Sequence, residues 1–200
     1  MKKKISADPK MKVPGIGMLL VAQPMLPPLL VKEYPYVKRS VILIVQHNEV
    51  GTIGLILNRI TKTTVPEIMT NFPSFDVPAY YGGPKTGKSL FYLHTFDNKK
   101  LPKSIEIGNE IYWQGDFETL KMLIEAGEVP EDKIHFVVGS CHWSADELTK
   151  DLQDNLFFVE VAKKEYVFCE DYDKLWGNVL KDTGHPYGIM KNFPVDPEFN

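Results

Sequence analysis

Residues 82–89 of this chain, Gly82-Gly83-Pro84-Lys85-Thr86-Gly87-Lys88-Ser89, satisfy the phosphate-loop spacing G-x-x-x-x-G-K-[ST] letter for letter. In such a loop the glycines let backbone N–H groups crowd around phosphate oxygens, the lysine reaches the terminal phosphates, and the hydroxyl holds magnesium. Here those roles fall to Gly82, Gly87, Lys88 and Ser89. The chemistry also needs a buried strand before the loop and a helix after it, whose N-terminal amides face the anion. After Ser89 the chain reads LFYLHTF, an aromatic-rich run that favours a strand. Upstream, residues 77–81 (VPAYY) are short and contain a proline, unlike a central parallel strand. A match of this kind also arises by accident in on the order of one in 150 chains of this length. The segment is therefore expected to be a glycine-rich hairpin loop, and a nucleotide site built on Gly87, Lys88 and Ser89 is disfavoured.

Thiol chemistry is the next candidate. Cys141 stands just before a helix predicted to begin at residue 144, whose N-terminus would favour the thiolate. His142 is its neighbour, but adjacent strand residues point to opposite faces, so it is poorly placed as the base. A buried, inert Cys141 is favoured, and Cys169 is read as packing. Arg39, Ser40 and His47 bracket one predicted strand and Asn58 follows the next, so these polar residues could gather at one edge of a sheet. The bland competitor is capping of turns and pairing with backbone. The histidines at 47, 94, 135, 142 and 185 lack metal-ligand spacing, and no G-x-S-x-G nucleophile elbow occurs. No metal or cofactor is expected.

Several elements must position these residues. Strands are predicted over residues 17–22, 41–45 and 53–57, the last two forming a hairpin through the turn residues at 48–52. Thr64 and Glu67 form a capping box that opens a short helix ending near residue 73. Strands follow at 79–81, 90–94 and 110–113. Asp116 caps a helix whose Phe117, Leu120, Leu123 and Ile124 share a face and which Gly127 ends. A strand at 134–138, a helix capped by Ser144 and Glu147, paired strands at 157–161 and 166–168, and a last helix around 175–180 complete the pattern. Residues 24–35 are rich in proline and read as a loop.

At 200 residues with 44% hydrophobic and 24% charged residues, the chain suits one soluble domain able to bury about 70% of its unfolded surface. A net charge of −3 offers no general attraction to nucleic acid or anionic membrane. The Lys2-Lys3-Lys4 start lacks a following apolar run, so neither a signal peptide nor a membrane span fits and the expected location is cytoplasmic. Residues 1–12 read as a mobile tail, 13–184 as the domain, and 185–200, with Pro186, Pro194 and Pro197, as an extended tail.

Five short segments recur in a specific order. They are residues 17–24 (GMLLVAQP), Arg39-Ser40-Val41, residues 47–51 (HNEVG), residues 54–58 (GLILN) and Tyr81-Gly82-Gly83-Pro84. Leu93-His94, then Gly139, Trp143 and Leu148, continue the series. The ordered set resembles the AlgH/YqgE family. That resemblance implies an α+β fold, a mixed, folded-over β-sheet flanked by helices, with Gly-Gly-Pro between strands. It implies no settled activity, and one branch carries a transcription-regulator label. Where the family has three glycines, this chain has His142, Ser144 and Asp146, so the loop reads as strand, turn and capped helix.

The candidate ligand or partner site is Arg39, Ser40, His47, Asn58, Gly82, Gly83, Pro84, His94, Cys141 and Trp143. The expected function is that of a cytosolic, non-enzymatic binding or regulatory protein acting on a protein or small-ligand partner. Direct DNA binding, a nucleotide site at Lys88 and a thiol enzyme using Cys141 are the alternatives.

Overall fold

The computed structural model describes residues 12–184, and within 86–89 the backbone alone. Residues 1–11 and 185–200, all of the two segments read above as tails except residue 12, lie outside the described residues, and with them His185.

Three strands of alternating branched and aliphatic residues start the fold: β1 (Met18–Ala22), β2 (Val41–His47) and β3 (Thr52–Ile56). They pair antiparallel in sequence order, and β10 (Phe157–Val161) adds to the outer edge of β1. Strand β9 (Ile134–Trp143) turns this meander into a folded-over sheet. Its C-terminal end pairs antiparallel with β3 through Thr52↔Trp143 and Gly54↔Cys141. Its first half pairs parallel with β5 (Pro78–Tyr81) on the same edge and antiparallel with β6 (Lys85–His94) on the other. The order β10-β1-β2-β3-β9-β6-β8-β7 results, where β7 is Ile105–Gly108 and β8 is Ile111–Trp113. Among the described residues the polar strand β4 (Ile60–Thr64) pairs only with β5.

Because strand residues alternate between faces, a continuous apolar run such as 41–45 must be covered on both sides. Leu19, Val21, Val41 and Leu43 face the helix α6 (Leu175–Asp182), meeting Trp176, Val179 and Leu180. Leu20, Ile42, Ile44 and Ile56 pack with Cys141 and Leu148 of α4 (Ala145–Gln153). Leu120 and Ile124 of α3 (Phe117–Glu125) cover Tyr92 and Phe136 in a third cluster. The helices open where local chemistry predicts. Asp116 accepts from the Thr119 amide, and both capping boxes, at Thr64/Glu67 and Ser144/Glu147, are formed.

Some local predictions fail. Residues 166–168 are not a strand: β10 is already paired with β1, and the chain turns into α5 (Lys164–Val167), which buries Tyr166 and Val167. Three alternating residues do not distinguish a strand from one helical turn. The proline-rich loop contains α1 (Pro28–Glu33), where Pro28 is pre-set for a first turn, and a 3-10 turn at Pro35–Val37. The helix after Thr64, α2 (Val65–Ile68), is shorter than the capping signal suggested.

One buried group sets an acid limit on stability. His135 lies between the rings of Tyr80 and Tyr172, at centroid distances of 4.1 and 4.7 Å, and its Nε2 meets no partner among the described residues. Burial pushes its pKa down to about 3. The unfolded imidazole takes a proton near pH 6.5. Stability is therefore complete above about 6.5 and is lost as pH falls toward 3, by up to about 1.4 kcal/mol per pH unit. Urea midpoints compared at pH 7 and 4.5 are expected to fall more in the wild type than in His135→Phe. Equal falls would contradict it.

Candidate functional site

The glycine-rich segment crosses the centre of the sheet. The Gly82 amide donates to the Val138 carbonyl at 2.8 Å, and the Gly82 carbonyl accepts from Ile56 at 2.9 Å. A Cβ on Gly82 would stand 2.3 Å from the Gly139 oxygen, and one on Gly83 2.3 Å from the Ser140 carbon. Gly83 also has φ +151. These glycines exist so that one backbone can lie on another. Lys85 pairs with Ser140 and Leu90 with Val138, so residues 86–89 stand opposite Gly139 alone as a wide bulge in β6. The strand then runs on to His94. Gly87, Lys88 and Ser89 therefore lead into no helix, and the dipole and amides that a phosphate loop uses are missing from this position.

Cys141 is buried beneath the same crossing, its thiol 3.6 Å from the Gly82 carbonyl, and burial raises its pKa to about 12. His142 is exposed on the opposite face, with Nε2 2.9 Å from the Ser140 hydroxyl. That Ser–His contact was not anticipated, but Ser140 is only 2% exposed, which leaves no approach for a substrate carbonyl. The His47 Nδ1 meets Thr52 Oγ1 across the hairpin at 2.8 Å. Buried His94 sits at 2.6 Å from the Gln114 carbonyl and accepts from the Phe96 amide at 3.1 Å, so its Nε2 carries the proton. Trp143 Nε1 donates to Asp151 at 2.9 Å. Pro84 is exposed beside the crossing. None of these histidines is paired with Cys141 among the described residues.

The candidates at the other end of the β2–β3 pair do come together. Asn58 is buried where β3 ends; its Oδ1 accepts from the Val41 amide at 3.0 Å and its Nδ2 donates to the Arg39 carbonyl at 2.9 Å. Those two bonds clasp the turn into β2, in which Arg39 takes φ +57, an uncommon value for a residue with a side chain. The Arg39 guanidinium lies 5.0 Å above the Trp176 ring, and Trp176 is itself anchored by Nε1 donating to the Ala22 carbonyl at 2.8 Å. Ser40, the next residue, is fully buried, and its Oγ has no partner among the described residues.

Arg59 completes the arrangement. Its Nη1 donates to the Asn58 carbonyl at 3.0 Å and its Nη2 to the Lys38 carbonyl, which holds the guanidinium against the turn. Desolvation lowers its pKa, nearby Asp173 opposes that, and the positive charge of Arg39 adds to the lowering. These groups line a cleft of about 880 Å³ with Pro35, Lys38, Lys174, Gly177 and Asn178. Of the ten sequence candidates the cleft takes Arg39 and Asn58; the others do not surround it. Arg59 and Trp176 escaped sequence reading. The one usable signal for Arg59 was its place beside Asn58 at a strand end.

Among the described residues no group of three or more His, Cys, Asp or Glu could hold a metal ion, and no helix is long and apolar enough to cross a membrane.

A family model described as AlgH-like matches residues 20–188. A UPF0301 protein of Cytophaga hutchinsonii is 34% identical over 163 residues, covering 82% of this chain and 90% of that one. A second UPF0301 protein, from Chlorobaculum tepidum, is 31% identical over 166 residues, or 83% and 88% of the two chains. Among solved structures, a Corynebacterium diphtheriae protein superposes with a TM-score of 0.73 at 21% identity, covering 92% of this chain and 95% of that one. The AlgH protein of Pseudomonas aeruginosa gives 0.68 at 23%, with 97% and 98% covered. At such identities the two structures speak to the fold alone.

Proposed function

The chain belongs to the AlgH-like family, and from that premise we propose that it is a cytosolic, non-enzymatic binding or regulatory protein whose basic cleft receives an anionic group of its partner. One observation carries this reading: the turn before β2 and the end of β3 hold two half-buried guanidinium groups, Arg39 and Arg59, at one cleft. Lys38 adds to them, while Lys174 is ion-paired with Asp171 and Asp173 brings a carboxylate to the lining. In a chain of net charge −3 such a concentration of cations is a local feature. Like charges brought together and partly desolvated cost free energy, which a bound anion offsets. The buried Cys141 and the separate engagements of His47 and His94 offer no matching catalytic set.

Thermal melts at low ionic strength with inorganic phosphate, sulfate or citrate test this reading. At least one anion is expected to raise the melting temperature of the wild type, and the rise should vanish when Arg39 and Arg59 are both changed to glutamine. No stabilisation by any of the three would overturn the proposal, as would steady turnover of a substrate that depends on Arg39, His47 or Cys141. Direct DNA binding is the second reading, favoured by the same cations. It requires duplex affinity that falls steeply with salt, and no retention at about 50 mM salt removes it.

A further inference from the structure

We infer that the surface where Tyr36, Tyr81, Trp143 and Asp151 meet docks an arginine side chain of a partner protein, its guanidinium against the Asp151 carboxylate and over the tyrosine rings. This surface lies on the α4 side of strands β1–β3, opposite the side that α6 covers. The inference therefore goes beyond the cleft and does not depend on it. Four elements distant in sequence bring these residues together. Tyr36 stands in the 3-10 turn after α1, Tyr81 ends β5, Trp143 ends β9 and Asp151 lies on α4. The Tyr36 and Tyr81 ring centroids are 6.2 Å apart, and Tyr34 adds a third ring 6.0 Å from Tyr36. The Trp143 indole donates to one Asp151 oxygen at 2.9 Å, and the Tyr36 hydroxyl lies near enough to feel the Asp151 charge.

Asp151 is the informative member. Its half-buried carboxylate accepts one hydrogen bond among the described residues, from Trp143, which leaves the second oxygen available. No lysine or arginine is ion-paired with it among the described residues. Burial works against its negative charge and raises its pKa. The indole bond and Lys150 oppose that rise, and the carboxylates of Asp154 and Glu147 add to it. Glu147 is already spent on the cap at Ser144, so Asp151 is the carboxylate left to meet a partner's cation. An added cation offsets the cost of keeping this group charged. A guanidinium suits the place better than an ammonium, because its flat face lies on a tyrosine ring while its edge donates to a carboxylate. Leu30 and Leu152, half-buried in the same cluster, give apolar surface around the charge. Tyrosine and tryptophan at the centre of such a surface are what protein partners use as anchors. Nucleic acid is disfavoured, since α4 and its C-cap carry Asp146, Glu147, Asp151 and Asp154 against Lys150.

NMR titration at low ionic strength tests the inference with the peptide acetyl-Gly-Leu-Arg-Leu-Gly amide and its analogues bearing lysine or glutamine in place of arginine. The indole N–H of Trp143 reports on the Asp151 contact directly, so the wild type alone gives a readout. That resonance is expected to shift with the arginine peptide at millimolar concentration. The glutamine peptide should bind about tenfold more weakly, with the lysine peptide between them. Asp151→Asn keeps an acceptor for the indole and is expected to weaken the arginine peptide about tenfold. Tyr36→Leu should weaken it about threefold. Glu118→Gln, which removes an exposed carboxylate on α3, should leave it unchanged. No Trp143 shift at millimolar arginine peptide would overturn the inference, as would equal shifts with the glutamine peptide. Equal weakening in Glu118→Gln and Asp151→Asn would show attraction to net charge alone, with the same consequence. A Trp143 shift caused by duplex DNA in place of the peptide would also overturn it. None of these outcomes bears on the melts with anions, which test the cleft separately.

Discussion

Gly83→Ala is expected to abolish the cooperative unfolding transition, or to lower stability by several kcal/mol, enough to consume much of a typical domain's 5–15 kcal/mol. Two separate costs meet at this position. The backbone at φ +151 is one that residues with a side chain rarely adopt. The new Cβ would also stand 2.3 Å from the Ser140 carbon and 2.5 Å from the Cys141 nitrogen, backbone atoms of the central strand β9. Neither can withdraw without breaking the ladder to β3 or β6. Gly108 offers the control: it has φ +107, but its Cβ would meet nothing within 4 Å. Gly108→Ala should therefore cost only the strain, about 1–2 kcal/mol. Circular-dichroism melts of both variants separate strain from clash. A Gly83→Ala protein melting within a few degrees of the wild type would show that β6 can lift off β9. A destroyed fold in this variant would say nothing about nucleotides, although Gly83 sits inside a phosphate-loop match.

Asn58→Ala is expected to lower stability by about 2–4 kcal/mol, because it leaves the Val41 amide and the Arg39 carbonyl without their bonds. For a domain of this size that is roughly 5–15 °C in melting temperature. Asn58→Asp dissects the two bonds. The carboxylate still accepts from Val41 but now faces the Arg39 carbonyl with an acceptor, so it should remain clearly destabilised. Both variants should also weaken anion binding at temperatures where they are fully folded, since the turn holding Arg39 at φ +57 loses its clasp. Melting temperatures unchanged within a degree or two would mean that the clasp carries little energy. Normal anion affinity in a folded Asn58→Ala protein would mean that Arg39 is positioned without the clasp.

The legible parts of the chain are those governed by neighbours in sequence. The caps at Asp116, Thr64/Glu67 and Ser144/Glu147 were readable because donor and acceptor lie three residues apart. Strands β1, β2 and β3 were readable because β-branched and aliphatic runs of this length have few other uses. The α+β class and the family resemblance followed from the order of such segments. Strand β4 was missed because its residues, ITKTT, are mostly exposed and it pairs at the margin of the sheet, with β5. Strand β6 was predicted too short because a bulge of residues 86–89 hides its period.

Chemistry followed the same division. The aromatic run after Ser89 was enough to reject a phosphate-loop helix, since local propensity decides whether a helix can start there. That Cys141 and His142 face opposite ways also follows from strand geometry alone. What local order could not decide is which charges meet. Arg39 and Asn58 were visible as polar strand ends, but Arg59 and Trp176 joined them only because β2 pairs with β3 and α6 packs across that pair. Burial of apolar faces far apart in the chain made that choice, and the cleft is its consequence. The sequence by itself thus determined the elements whose signals are local and disfavoured the conspicuous motif, while long-range packing alone decided where the cations converge.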